Sequence, residues 1–198
     1  MAESISLGWN CGSACYGVDN GIRSTKQNGY KTCPFDEMLT NYNGIVECIK
    51  DGFDDIYNTE YLDLLHINKD SKLLNTTGNG DIVVYHKKYK FIFNHESPGH
   101  ANLYMQQKWK KGINHYILNN YEEFINRYKR RCENIKNYLN SNLFIHFIIT
   151  KPNCSITDMN ELNDVIKLKY PNLKFDIILL NCDETHYNNH MRLMLINI

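Results

Sequence analysis

The sequence predicts an α/β fold, an open and mainly parallel sheet sandwiched by helices, and two patterns carry that reading. In the last third of the chain, a buried-strand run at 143–149, a helical stretch at 160–168 and a second buried-strand run at 175–180 follow in order. Strand, helix, strand with both strands largely apolar implies a parallel pair joined by a crossover helix. At the other end, Ile5-Ser6-Leu7 is a short strand candidate that runs into a small-residue loop, Gly8-Trp9-Asn10-Cys11-Gly12-Ser13-Ala14-Cys15, with a helix to follow through Tyr16 and Val18.

The elements between these ends follow from local chemistry. Cys33-Pro34-Phe35-Asp36 reads as a turn or a first helical turn, where proline's missing N–H is harmless. Ile45, Val46, Cys48 and Ile49 recur at helical spacing. After a polar loop at 69–81, two β-rich runs at 82–86 and 90–95, separated by Lys87-Lys88-Tyr89, predict a hairpin. From 116 to 139, Phe124, Tyr128, Cys132, Ile135 and Leu139 fall at steps of four, four, three and four, which is one apolar stripe on a long helix. Ser155 is set to N-cap the helix after the strand at 143–149, with Glu161 near enough to assist, and Tyr170-Pro171-Asn172 breaks the chain before the strand at 175–180. A final strand is expected at 191–196. No repeat or linker divides the chain, so a single α/β domain over 1–198 is expected.

Composition narrows the function. Lys plus Arg and Asp plus Glu both number 22, giving a net charge of zero, so nucleic-acid binding driven by counterion release is disfavoured. No window approaches the roughly 18 apolar residues of a membrane span, and Met1-Ala2-Glu3 lacks the basic start of a secretory signal. Seven cysteines are spread along the chain, an odd count that suits reduced thiols in the cytoplasm. The 27 Asn residues read as A/T-rich coding bias, which makes a viral protein in host cytoplasm one of the options.

Among the thiols, Cys11 stands out, because reactive groups in open α/β sheets collect beyond the carboxyl ends of strands. A helix start there would stabilise a thiolate and lower its pKa. Gly8, Asn10 and Gly12 would shape the loop and the substrate site, with backbone N–H groups near Gly12 holding an oxyanion. His95, following a strand-like run, is the best placed of eight histidines to serve as base. Asp36, Asn94 and Glu96 all qualify to orient its ring. No cofactor is called for. Cys182, His186 and His190 sit at steps of four, as zinc ligands on a helix would, but a polar loop is the plainer reading and no metal is expected. Gly78-Asn79-Gly80-Asp81 lacks the lysine of a phosphate loop and reads as a turn. Arg127, Lys129, Arg130 and Arg131 form a basic helix face, of which Arg130 or Arg131 would suit an anionic substrate group.

Taken in order, Ser6-Leu7-Gly8-x-x-Cys11, Pro34-Phe35-Asp36, a strand ending in His95 and Tyr128-x-Arg130-Arg131 resemble a family of unknown function described as papain-like cysteine peptidases. The resemblance spans most of the chain. It implies a cysteine hydrolase with Cys11 as nucleophile, His95 as base and Asp36 as third polar member, and a papain-like α+β fold as the alternative architecture. Glu37 stands where the family usually has Trp, and Thr150 where many members have Arg. The strand-loop-helix layout is also that of esterases of the Gly-Asp-Ser-Leu type, which keeps open a thiol esterase or an acyl or glycan transferase. A noncatalytic binding module on the same fold, with Cys11 inert, is the rival from another class.

Overall fold

The computed structural model describes residues 2–66, 82–96, 120–153, 155–185 and 187–188. The expected loop at 69–81, the final strand at 191–196, His100, His186 and His190 lie outside them. Strand β1 (Ala2–Gly8) pairs in parallel with β5 (Phe144–Thr150), which pairs in parallel with β6 (Lys174–Leu180), giving the order β1-β5-β6. A second, antiparallel sheet joins β2 (Leu62–His66), β3 (Ile82–His86) and β4 (Phe91–Phe93). The expected hairpin is its β3–β4 arm, and a single bridge from Leu39 to Ile92 ties the 33–39 segment to its edge. The fold is thus mixed α/β, a parallel three-stranded sheet flanked by helices beside a small antiparallel one.

Side-chain alternation assigns the two faces of the parallel sheet. Ile5, Leu7, Ile145, Phe147 and Ile149 point into the main core. They meet there the apolar faces of α2 (Tyr42–Asp51), α3 (Glu122–Leu139) and α4 (Ile156–Lys169). The predicted stripe Phe124, Tyr128, Cys132, Ile135 and Leu139 is the buried face of α3. The helix starts at Glu122 rather than at 116. On the opposite face, Ser4 and Ile148 meet α1 (Gly12–Asp19). The helix approaches so closely that a Cβ on Gly17 would lie 2.5 Å from Ser4 Oγ and 3.2 Å from Ile148 Cδ1. Only glycine allows that approach without displacing the strand.

Two local expectations are corrected. Ser155 does cap α4, accepting from the Asp158 N–H at 3.1 Å, but Asp158 and not Glu161 closes the box by accepting from the Ser155 N–H at 2.9 Å. The reciprocal partner belongs three residues after the cap, and Glu161 lies too far along. Glu161 instead accepts from the Tyr42 hydroxyl, 3.0 Å away, joining α4 to α2. Where the sequence reads as a polar loop, residues 184–185 and 187–188 are helical, and Tyr187 packs edge-on to Trp9 with centroids 5.5 Å apart.

Candidate active site

The Cys11 loop hangs from the carboxyl end of β1. Gly8 has φ +99°, a conformation that side chains rarely adopt, and a Cβ there would sit 1.8 Å from Thr40 Oγ1. Ser13 Oγ donates to the Gly8 carbonyl (2.6 Å) and takes the Thr150 hydroxyl proton (2.7 Å), so the end of β5 braces the loop. Cys11 is the N-cap residue of α1, and its carbonyl accepts from the Cys15 N–H at 3.0 Å. The thiol reaches solvent.

Two expectations about this loop meet a different geometry. Crowding around Cys11 pushes its thiol pKa up, and Cys15 and the Glu37 carboxylate add to the rise against a backbone hydrogen bond that lowers it. Desolvation here outweighs the stabilisation expected from the helix start. The Gly12 N–H, meanwhile, already donates to Asn10 Oδ1 at 2.8 Å.

His95 stands in a 3₁₀ turn (Asn94–Glu96) directly after β4, so the expected strand ends at Phe93. His95 and Cys11 line the same cleft, a cavity of about 440 Å³ whose lining also includes Arg23, Tyr30, Asp36 and Glu37. Asp36 lies in the 3₁₀ turn Pro34–Glu37 and is buried. Three donors converge on its carboxylate: Arg23 Nη2 at 2.6 Å, the Tyr30 hydroxyl at 2.9 Å and the Cys33 N–H at 2.8 Å. Arg23 also donates Nε to the Ser4 carbonyl at 3.2 Å, which fastens this network to β1. Burial opposes the Arg23 charge, but the Asp36 carboxylate holds its pKa up.

Glu37 is the group that sequence reasoning passed over, except as the position where the resembled family has Trp. Its carboxylate pairs with Arg131 of α3 and lies 3.4 Å from Lys26 Nζ. Burial works to raise its pKa, yet Arg131, Lys26 and His95 together hold it below the usual carboxylate range. Glu37 therefore acts electrostatically on both His95 and Cys11. Arg131 is buried and also donates Nη1 to the Tyr128 hydroxyl at 3.1 Å, whereas its neighbour Arg130 is exposed. One helical turn earlier, Arg127 pairs with the fully buried Glu96. The signal for these pairs lay in α3 itself, since residues at steps of three and four share a helix face.

Among the described residues, no group of three or more His, Cys, Asp or Glu side chains is arranged to hold a metal. Cys182 is partly buried beside the Trp9 cluster. No described helix is long and apolar enough to cross a membrane.

The fold and the site define a class: mixed α/β proteins that carry a thiol at the carboxyl end of a parallel strand and an imidazole on a wall of the same cleft. The chain belongs to the family described as "Putative papain-like cysteine peptidase (DUF1796)", whose model matches residues 2–185. No curated protein and no solved structure matches it.

Proposed function

We propose that the protein is a cysteine hydrolase of peptidase type in which Cys11 is the nucleophile and His95 the base. The observation that carries this reading is the shared cleft: thiol and imidazole line one cavity, and one carboxylate, Glu37, acts on both. In this chemistry the Cys11 proton passes to His95, and sulfur bonds to the substrate carbonyl carbon. The leaving amine then departs with the proton from His95, and water, deprotonated by the same ring, releases the acid and restores the thiol. Glu37 stabilises the imidazolium that forms transiently. Asp36 serves as the third polar member by fixing the 34–37 turn from which Glu37 projects, and is in our reading a positioning residue. Asn10 takes part in the oxyanion site together with Gly12, whose N–H becomes available when Asn10 Oδ1 yields it.

The upward pull on the Cys11 thiol favours a second reading, a binding module with an inert cysteine. Alkylation separates the two. In the hydrolase, iodoacetamide modifies Cys11 at pH 7 at least about tenfold faster than free cysteine, because pairing with His95 overcomes desolvation. The Cys11→Ser variant loses this fast phase, and His95→Ala slows it to below the rate of free cysteine. A wild-type rate no greater than that of free cysteine overturns the hydrolase reading. Release of an amine from peptide substrates and of an alcohol from esters, compared in the wild type, tells a peptidase from an esterase.

A further inference from the structure

Beside the Cys11 cleft, and sharing Lys26, Tyr30 and Thr32 with it, lies a second basin of about 560 Å³. Five of the eight residues lining it are cationic, Lys26, Lys31, Arg127, Arg130 and Arg131, and none carries a carboxylate. In a chain with equal numbers of acidic and basic residues, that surplus is local.

The five cations differ in how they are held. Arg131 is tied to Glu37 and Arg127 to the buried Glu96, which immobilises both guanidinium groups and neutralises two charges from behind. Arg127 gives Nη1 to that pair, and a guanidinium has five N–H donors, so donors remain to face the basin. Lys26 is only loosely shared with Glu37, 3.4 Å away, with its own side chain 68% exposed. Among the described residues, neither Lys31 nor Arg130 has an ion-pair partner, which leaves a net positive wall of three charges. Asn134 Nδ2 donates to the Thr32 carbonyl at 2.9 Å, holding the rim segment that carries Lys31 and Thr32 against α3. Guanidinium forks held by carboxylates, one of them fully buried, with exposed cations at the mouth, form a receptor whose ordering cost is largely met before a ligand arrives. A concave basic surface of this kind also concentrates anions.

We infer that this basin is an anion-binding subsite that receives an acidic group of the substrate, a carboxylate or a phosphate, adjoining the bond presented to Cys11. Its service to a substrate rests on the Cys11 hydrolase reading; anion capture itself does not. The substrate class is then an acidic peptide or acyl compound, its charge arising from a carboxylate side chain or from a phosphoryl group.

Calorimetric titration of the full chain carrying Cys11→Ser, at constant ionic strength, tests the site apart from any activity. Inorganic phosphate and glutarate are the probes, and at least one is expected to bind at a single site with a dissociation constant on the order of 1 mM. Phosphate alone indicates a phosphoryl ligand, glutarate alone a carboxylate, and both the shared chemistry. Arg130→Ala and Lys31→Ala are exposed substitutions that should each weaken binding about five- to tenfold. Lys129→Gln removes one charge from the same helix but from outside the basin, and should change binding less than about twofold. Absence of saturable binding by both probes overturns the inference, as does equal weakening by Lys129→Gln and Arg130→Ala. Binding retained in a protein whose wild-type Cys11 is unreactive overturns the hydrolase reading and leaves the anion site standing.

Discussion

Replacing Asp36 with Asn tests the buried network behind the cleft. The Arg23 and Asp36 side chains are 4% and 6% exposed, so the substitution leaves a guanidinium out of water without its counterion. It also weakens the acceptor for the Tyr30 hydroxyl and the Cys33 N–H. Breaking one side of a buried pair costs about 3–5 kcal/mol. With a urea dependence of about 2.5 kcal/mol per molar, the unfolding midpoint should fall by about 1.2–2 M. Urea equilibrium unfolding at pH 7, followed by far-UV circular dichroism and by tryptophan fluorescence, measures the shift. The double variant Arg23→Met/Asp36→Leu removes both charges and should regain at least half of the loss, because apolar replacements leave no unpaired ion. A midpoint within about 0.3 M of wild type for Asp36→Asn would refute the account, for it would mean that water or another carboxylate serves Arg23 as well as Asp36 does. If the folded Asp36→Asn protein keeps its Cys11 alkylation rate while losing stability, Asp36 acts through the fold and not on the imidazole.

His86 gives a prediction in pH. It is fully buried, its Nδ1 accepts from the Tyr89 N–H at 3.1 Å and its Nε2 lies 2.8 Å from the Asp55 carbonyl, and burial lowers its pKa from 6.5 to about 4. Between those values the unfolded chain holds a proton that the folded chain does not, so this contribution is complete above pH 6.5 and falls by about 3 kcal/mol as pH drops to 4. The stability difference between wild type and His86→Gln should narrow accordingly, and a gap constant from pH 7 to 4 contradicts it. Gly8→Ala should cost at least about 2 kcal/mol in thermal or urea unfolding, from the positive φ and the collision with Thr40. Cys33, Cys48 and Cys132 are buried with thiol pKa values pushed up by burial, so a disulfide reagent should label Cys11 and Cys15 in the native protein and leave those three until it unfolds. Native-state labelling of Cys48 would contradict that packing. Glu37→Gln should slow Cys11 alkylation at pH 7 by about three- to tenfold, because losing the charge that favours the His95 imidazolium outweighs relief of the upward pull that Glu37 exerts on the thiol, and an unchanged pH profile would remove Glu37 from the site.

Much of the fold was legible because periodicity is local. The α3 stripe and the β3–β4 hairpin each declare themselves within about twenty residues and the strand-helix-strand end within about forty, and Cys11 was found by its place after a strand. The charge pairs were not legible. Arg23 and Asp36 are 13 positions apart, one in a loop and the other in a short 3₁₀ turn, and nothing in the order of residues says that a loop arginine turns inward. Glu37 was visible only as a departure from a family pattern, since its partner Arg131 is 94 positions away. Asn10 and Gly12 were marked as site residues, but the hydrogen bond between them depends on loop conformation and not on composition. The thiol pKa went the other way from expectation for a similar reason. A helix start can be read from sequence, whereas the burial that desolvates Cys11 exists only once the chain has folded around it.

The partner of β1 has a consequence for how the protein is made. Among the described residues, the strand that carries the Cys11 loop is paired only with β5, in a register that joins Ala2 to Phe144 and Ile5 to Phe147. Ser13 likewise waits for Thr150. In synthesis Cys11 therefore precedes the strand that orders its loop by more than 130 residues. Closing so long a loop is slow relative to forming the helices in between. Until β5 has been made, β1 lacks the strand it pairs with among the described residues, and the cleft cannot take its final shape. The topology thus acts as a timer, keeping the Cys11 loop unassembled until the strand that follows α3 has been made.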